Sequence, residues 1–397
     1  MDALAALSRD PLRLNGAALP IVGRARVYVC GITPYDVTHL GHASTYLWTD
    51  LAVRVWRSVG VRVEVARNIT DVDDAMFAEA RRVGMPYDQV AAIGRFAFDR
   101  SMAALGVRPP DHEPTARASV THVIELGQAL LAGGHAYLRN GTVYARTADA
   151  AAHAGLGMDE AVALAAEFND DPDDPQRDDP LDVAVWRAGD SDSSIREAGV
   201  DGSRGIGQSG VSWPSPWGPG RPGWHAECAA MVLNTFGSSV DLHAGGADLR
   251  FPHHAVESLL AERATGVAPF ARAWFQVGSV RVDGIRMSKS LGNLTLVDDL
   301  LDRHTPAAVR LLCLARGWQD AWDYHESALT GVEDTLDQLY VAAGRARSAP
   351  DPAAPVAVVD AVDAALRDDL DVPRALAIAL DSGGAGARRL IDVLGLA

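Results

Sequence analysis

The residues of this 397-residue chain whose types could do chemistry are few: a close histidine pair, a lone lysine and three scattered cysteines. His39 and His42 stand in HLGH, where a strand-like run gives way to an apolar-periodic helix. A helix N-terminus offers free N–H groups and a positive dipole end, which suit phosphate. Imidazole N–H groups add donors where phosphoryl charge develops. Lys289, in RMSKS, is the only lysine among 36 basic residues. In a chain that otherwise uses arginine throughout, one surviving lysine points to a position that needs a compact ammonium. Its loop follows WFQVGSV and the turn-former Asp283-Gly284, so it fits a flexible clamp over a triphosphate. Taken singly, HLGH could be a structural cap and RMSKS a solvated turn. Together they favour phosphate.

The cysteines suggest a metal. Cys30 ends the first strand, Cys228 stands in GWHAEC, and His253 and Glu257 lie four apart in FPHHAVE. Two thiolates, an imidazole and a carboxylate can make a tetrahedral zinc set, and residues four apart share one helical face. His254 serves as well as His253 on these grounds, and buried free cysteine is the competing reading. With Cys313 the total is three, too few for a disulfide framework.

The elements that must position these groups read as follows. Residues 26–31 form a short buried strand, a helix runs from about Ala43 to Val59, and VRVEVARNIT (61–70) is a second strand. A helix with acids in its first turn follows, and the β-α-β order implies a doubly wound parallel sheet binding ligands beyond its carboxyl ends. Residues 86–138 read as helical, and the acidic, proline-bearing 167–182 as a loop or solvated rim. The Gly-, Ser- and Asp-rich 188–212 reads as a mobile insertion, and helices split by SAPDPAAP (348–355) close the chain.

Hydrophobic residues make up 48% and charged residues 22%, an ordinary globular balance that excludes a largely disordered chain. No apolar run reaches membrane-spanning length and the start lacks a signal-peptide pattern, so a cytoplasmic protein is expected. The net charge of −16 disfavours a broad nucleic-acid-binding face.

HLGH and RMSKS resemble the two signature motifs of the class I aminoacyl-tRNA synthetases. The resemblance implies a Rossmann-like α/β fold and activation of an amino-acid carboxylate by ATP, with Mg2+ on the phosphates. His39, His42 and Lys289 would then be catalytic. The cysteinyl branch carries zinc ligands at the positions of Cys30, Cys228, His253 and Glu257, its zinc holding the substrate thiolate. Glu257 stays open as a fourth ligand or a neighbour. The resemblance further implies an ATP and cysteinyl-adenylate surface. Its first part is Cys30, Gly31, Ile32, Thr33, Thr45, Asn68, Ile69 and Thr70. Its second is Trp224, His243, Gly246, Ala247, Asp248, Val280, Arg286, Met287, Ser288 and Ser290.

Two groups share this core: cysteine–tRNA ligases, and the mycothiol ligases, which join cysteine to the amine of glucosaminyl-inositol. CGITPYDVTHLGHASTY (30–46) and WPSPWGPGRPGWHAECAA (213–230) look like the latter. The tRNA enzymes usually have Pro and Val at positions 32 and 34 and a basic residue at Ser44. The 107 residues after Ser290 leave little room for an anticodon-reading domain, and the acidic total disfavours tRNA. One departure is EFNDDP (167–172), where the ligases read Glu-Arg-Gly-Gly-Asp-Pro, which touches the acceptor side.

The expected organisation is a catalytic domain in two halves, 1–120 and 213–297. A connective insertion spans 121–212, a stem-contact-like helical region 298–347, and a short helical domain 356–397. A monomer is expected. Asp36, Asp248 and His243 stand equally as general bases for the amine.

Overall fold

The computed structural model describes residues 11–35, 37–168, 171–189, 211–288, 291–345 and 354–397. Asp36, Lys289, Ser290, most of the 188–212 insertion and the SAPDPAAP linker lie outside the described residues.

Strands β1 (Arg24–Ile32) and β2 (Arg62–Ile69) flank helix α1 (Leu40–Ser58), and helix α2 (Asp74–Val83) follows β2. β3 (Val183–Ala188) and β4 (Gly220–Pro222) lead into helix α3 (Trp224–Phe236). β5 (Leu242–Gly246), helix α4 (His253–Thr265) and β6 (Trp274–Val277) complete the central unit. The central sheet is all parallel, in the order β6-β5-β1-β2. β1 and β5 are near-continuous apolar runs buried between helices, as parallel strands require. All four strands end on one edge, so Cys30–Ile32, Asn68–Thr70, Gly246 and Val277 converge where an open α/β sheet binds ligands.

β3 and β4 belong to a second, antiparallel sheet with Ala136–Arg139 and Thr142–Ala145. The 86–138 stretch is therefore not one helical region. Helices Tyr87–Ala104 and Val120–Ala132 are separated by extended chain along the edge of β2, with Arg67 N–H donating to His112 O at 3.0 Å. The intervening RPPDHEP explains the break, since proline removes donors and pushes its neighbour out of the helical region. The acidic 171–182 segment is turns, as its composition implies. No helix among the described residues is long and apolar enough to cross a membrane.

The C-terminal helices, Val372–Ser382 and Gly384–Leu394 among them, bury Leu376, Ala379, Leu390 and Leu394 in the same core as α1. A buried arginine pins them there. Arg310 donates to Leu394 O at 2.9 Å, Leu105 O at 2.8 Å and Asp50 Oδ2 at 3.0 Å. Arg54 holds the same Asp50 carboxylate at 2.6 Å. Arg310→Met would leave two buried carbonyls without a donor, so a loss of roughly 3 kcal/mol in folding stability is expected. A urea-denaturation midpoint checks this; an unchanged midpoint contradicts it.

Candidate active site

Gly31 sets the geometry at the end of β1. A Cβ there would fall 1.5 Å from the Asn68 carbonyl oxygen, so only glycine lets β1 and β2 approach this closely. Gly31 N–H donates to Asn68 Oδ1 at 2.7 Å, and Asn68 Nδ2 donates to Thr70 Oγ1 at 3.1 Å. The same amide nitrogen lies 3.6 Å from Cys228 Sγ. Tyr46 OH donates to Cys30 O at 3.0 Å.

HLGH opens α1. His39 is its N-cap, with Nδ1 accepting from Gly41 N–H at 3.1 Å, which leaves Nε2 as the N–H of the neutral ring. The His39 and His42 rings stack with centroids 3.8 Å apart. Burial, followed by the charge of Arg286, lowers the His42 pKa to about 4. His42 therefore offers a neutral N–H at pH 7, not a cation.

Because this pKa is depressed, the unfolded chain binds the proton more readily between about pH 4 and 6.5. The His42 contribution to stability is complete above about 6.5 and is lost as the pH falls toward 4. Wild type should lose more stability between pH 7 and 5 than His42→Asn, as read by urea midpoints at both pH values. Equal losses would remove His42 as the cause.

The two signature segments touch directly. Leu40 N–H donates to Thr295 O at 2.8 Å and Val297 N–H to Thr38 O at 3.0 Å, binding the stretch after RMSKS to the entry of α1. Asn293 braces the loop, accepting from Ser288 N–H at 2.8 Å and donating to Arg286 O at 3.2 Å. Arg286 pairs with Asp248 and lies over the Phe168 ring at 5.9 Å.

The sulfurs of Cys30 and Cys228 and a ring nitrogen of His253 all lie within 4.8 Å of one another, and all three residues are buried. They come from β1, α3 and the first position of α4. His225 Nδ1 and His253 Nδ1 share a hydrogen bond of 2.8 Å, which fixes the His253 ring. Burial and the neighbouring imidazoles keep His253 neutral, the form in which imidazole ligates a metal. The Cys30 thiol is held protonated, first by its hydrogen bond with Cys228 and then by burial, until a cation replaces the proton.

Glu257 accepts from His243 Nε2 at 3.0 Å through Oε1. Its other oxygen, 3.9 Å from His253 Nε2, has no hydrogen-bond partner among the described residues. Soft sulfur and nitrogen donors beside an orphaned carboxylate oxygen fit zinc. Cys30 also forms a second such group with His243 and His254.

One cavity of about 1220 Å³ gathers most of the sequence-predicted residues. Cys30, Gly31, Ile32, Thr33, His39, His42, Thr45, Asn68 and Thr70 line it from the first half of the chain. Trp224, Cys228, Gly246, Asp248, His253, Val280, Arg286, Met287 and Ser288 line it from the second. Ile69, His243 and Glu257 are buried away from its lining, and Ala247 is also outside it. Sequence reasoning missed His225, Phe168, Asp73, Asp74, Arg187 and Arg221. His225 had a signal, lying three before Cys228 on one helix face; Phe168 stacks on Trp224 at 6.5 Å and had none.

The class I (C) tRNA synthetase catalytic-domain family matches residues 20–334. The chain belongs to this family. It is also 42% identical to an L-cysteine:1D-myo-inositol 2-amino-2-deoxy-alpha-D-glucopyranoside ligase of Acidothermus cellulolyticus. That match spans 89% of this chain and 83% of the relative. A ligase of the same name from Rhodococcus jostii is 40% identical over 96% of this chain and 89% of its own length. A cysteine–tRNA ligase of Alkalilimnicola ehrlichii is 36% identical, covering 94% of this chain and 80% of that enzyme. The fold is that of the Mycobacterium tuberculosis methionyl-tRNA synthetase in complex with methionyl-adenylate. The TM-score is 0.63 at 17% identity, over 94% of this chain and 82% of that one. The chain is thus a ligase of the class I synthetase type.

Proposed function

We propose that the chain uses ATP to activate L-cysteine as cysteinyl-AMP. It then joins the cysteinyl group to the amine of 1D-myo-inositol 2-amino-2-deoxy-α-D-glucopyranoside (glucosaminyl-inositol), releasing AMP and pyrophosphate. The carrying observation is that the Cys30, Cys228 and His253 group opens on the same cavity as HLGH. A thiol-recognising site thereby lies beside a phosphate site. The names of the relatives from Acidothermus cellulolyticus and Rhodococcus jostii support the acceptor.

Cys30, Cys228 and His253 would hold zinc, with Glu257 at hand. Zinc so bound supplies a sulfur-preferring Lewis acid that a serine hydroxyl does not satisfy at neutral pH. Discrimination of that kind needs no editing domain.

In the first step a cysteine carboxylate oxygen attacks the α-phosphorus of ATP, which arrives with Mg2+. The bond to the bridging oxygen breaks, and pyrophosphate leaves with the electron pair. The neutral N–H groups of His39 and His42 and the ammonium of Lys289 stabilise the growing phosphoryl charge. Arg286, held by Asp248, adds a further cation at the cavity wall. In the second step the neutral amine attacks the adenylate carbonyl carbon, the bond to AMP breaks, and a proton leaves the nitrogen. Asp248 lines the cavity, whereas His243 is wholly buried behind it, which favours Asp248 as the proton acceptor. We assign 1–120 and 213–297 to the catalytic body, 121–212 to the connective insertion, and 298–347 and 356–397 to the helical support.

AMP release by the purified chain with cysteine and ATP tests the reading, with glucosaminyl-inositol or bulk tRNA as acceptor. Release is expected to depend on glucosaminyl-inositol, with little salt dependence and no response to tRNA. Cysteinylated tRNA forming at a useful rate would make the chain a cysteine–tRNA ligase instead.

A further inference from the structure

The cavity, about 1220 Å³, exceeds the roughly 300–1,000 Å³ typical of a pocket for one small ligand. One arm of its wall is not used by the activation chemistry. Asp73 and Asp74, at the start of α2, face Arg187 of β3 and Arg221 of β4 there. The arm is thus bounded by the parallel domain on one side and the antiparallel insertion on the other.

Its construction is specific. Asp73 caps α2, its side chain accepting from Ala75 N–H at 2.7 Å. Arg221 forks onto the Asp74 carboxylate, with Nη2 to Oδ2 at 2.9 Å, and Arg187 Nη1 stands 4.0 Å from the same oxygen. Behind this wall, Glu227 of α3 is wholly buried, and neither of its carboxylate oxygens has a hydrogen-bond partner among the described residues. The charges that act on it are those of Cys228, Asp73 and Asp71, opposed only by Arg187. A buried carboxyl left unpaired is costly. Acids accumulate here without enough cations to match them, a field that attracts an ammonium and repels a phosphate chain.

We propose that this arm, with Asp73 and the Asp74–Arg221 pair in front and Glu227 behind, is the subsite that binds the acceptor as an amine-bearing polyol. The ammonium group meets the carboxylates, and the planar carboxylate–guanidinium fork offers acceptors and donors to ring hydroxyls. The inference rests on the function proposed above and adds where the second substrate binds. It also gives a physical reason for a small aminated polyol over a nucleic acid: the arm presents net negative charge where a nucleic acid would bring phosphates.

The test uses the full chain and two readouts. Asp73→Asn removes the charge and keeps a good helix cap, and Glu227→Gln keeps the shape of the buried side chain. For each, the KM for glucosaminyl-inositol in AMP release is expected to rise about tenfold or more, the scale of one lost charge-assisted hydrogen bond. The KM values for cysteine and ATP in pyrophosphate exchange are expected to move less than about twofold, which also reports that the variants fold. Wild type should bind glucosaminyl-inositol at least about tenfold more tightly than its analogue with hydroxyl in place of the amine, a preference Asp73→Asn loses. An unchanged acceptor KM in Asp73→Asn, or a parallel rise in the cysteine and ATP values, overturns the subsite while leaving the proposed function intact. Wild-type exchange without any acceptor-dependent AMP release would instead overturn that function, and the subsite with it.

Discussion

Cys228→Ser is expected to lose its zinc and, with it, cysteine-dependent pyrophosphate exchange. Cys228 is almost wholly buried on α3, and its sulfur lies with those of Cys30 and His253 inside a 4.8 Å cluster. Serine is close in size, so the helix and its packing should survive and the chemistry of the donor alone changes. A hydroxyl stays protonated where a thiol would ionise, and it is a poor partner for a borderline-soft cation. Loss of a single group that merely supports a ligand costs about 10–100-fold in metal affinity, so loss of a ligand should cost at least ~10²-fold. Metal analysis of the purified variant and the exchange assay read the two consequences separately. The second group, Cys30 with His243 and His254, keeps all its members in this variant. Full zinc in Cys228→Ser would therefore move the metal to that group, and His254→Ala would then be the variant that loses it.

Lys289→Ala is expected to slow pyrophosphate exchange by ~10²-fold or more, the scale of one group that stabilises developing charge. Lys289→Arg is the more discriminating change, because the chain uses arginine at every other basic position. A guanidinium is planar and wide where an ammonium is compact, so the arginine variant should remain at least ~10-fold below wild type. The residues before it, Met287 and Ser288, line the cavity, and Asn293 braces the loop around Ser288. Full exchange activity in Lys289→Arg would show that any cation serves here.

Much of the site was legible without coordinates because its groups sit in short local contexts. HLGH marks the start of a helix by itself: a histidine able to cap, then an apolar-periodic run. Cys30 is legible as the end of a strand and His253 with Glu257 as one helical face, since both follow from periods of two and of three to four. Composition likewise announced the loop at 171–182, where acids and prolines leave no regular element to form. The 86–138 stretch was misread because apolar periodicity continues across RPPDHEP, while the prolines that interrupt it act on backbone donors instead.

The sequence by itself determined the residue chemistry: a phosphate-binding helix start, one lysine, two thiols with an imidazole, and a charge hostile to polyanions. Only the tertiary structure decided which of these groups meet. The parallel order β6-β5-β1-β2 brings Cys30 and Gly246 to one edge, and the packing of α3 and α4 carries Cys228 and His253 to the same point. Backbone pairing of Leu40 with Thr295 joins the two signature segments across most of the chain. The arm formed by Asp73, Asp74, Arg187 and Arg221 was invisible beforehand, because its acids read as an ordinary first helical turn and its arginines as ordinary strand residues. The physical reason is range: propensity, capping and periodicity act within a few residues, whereas a cavity wall is assembled from strands and helices that contact only after the core has been buried.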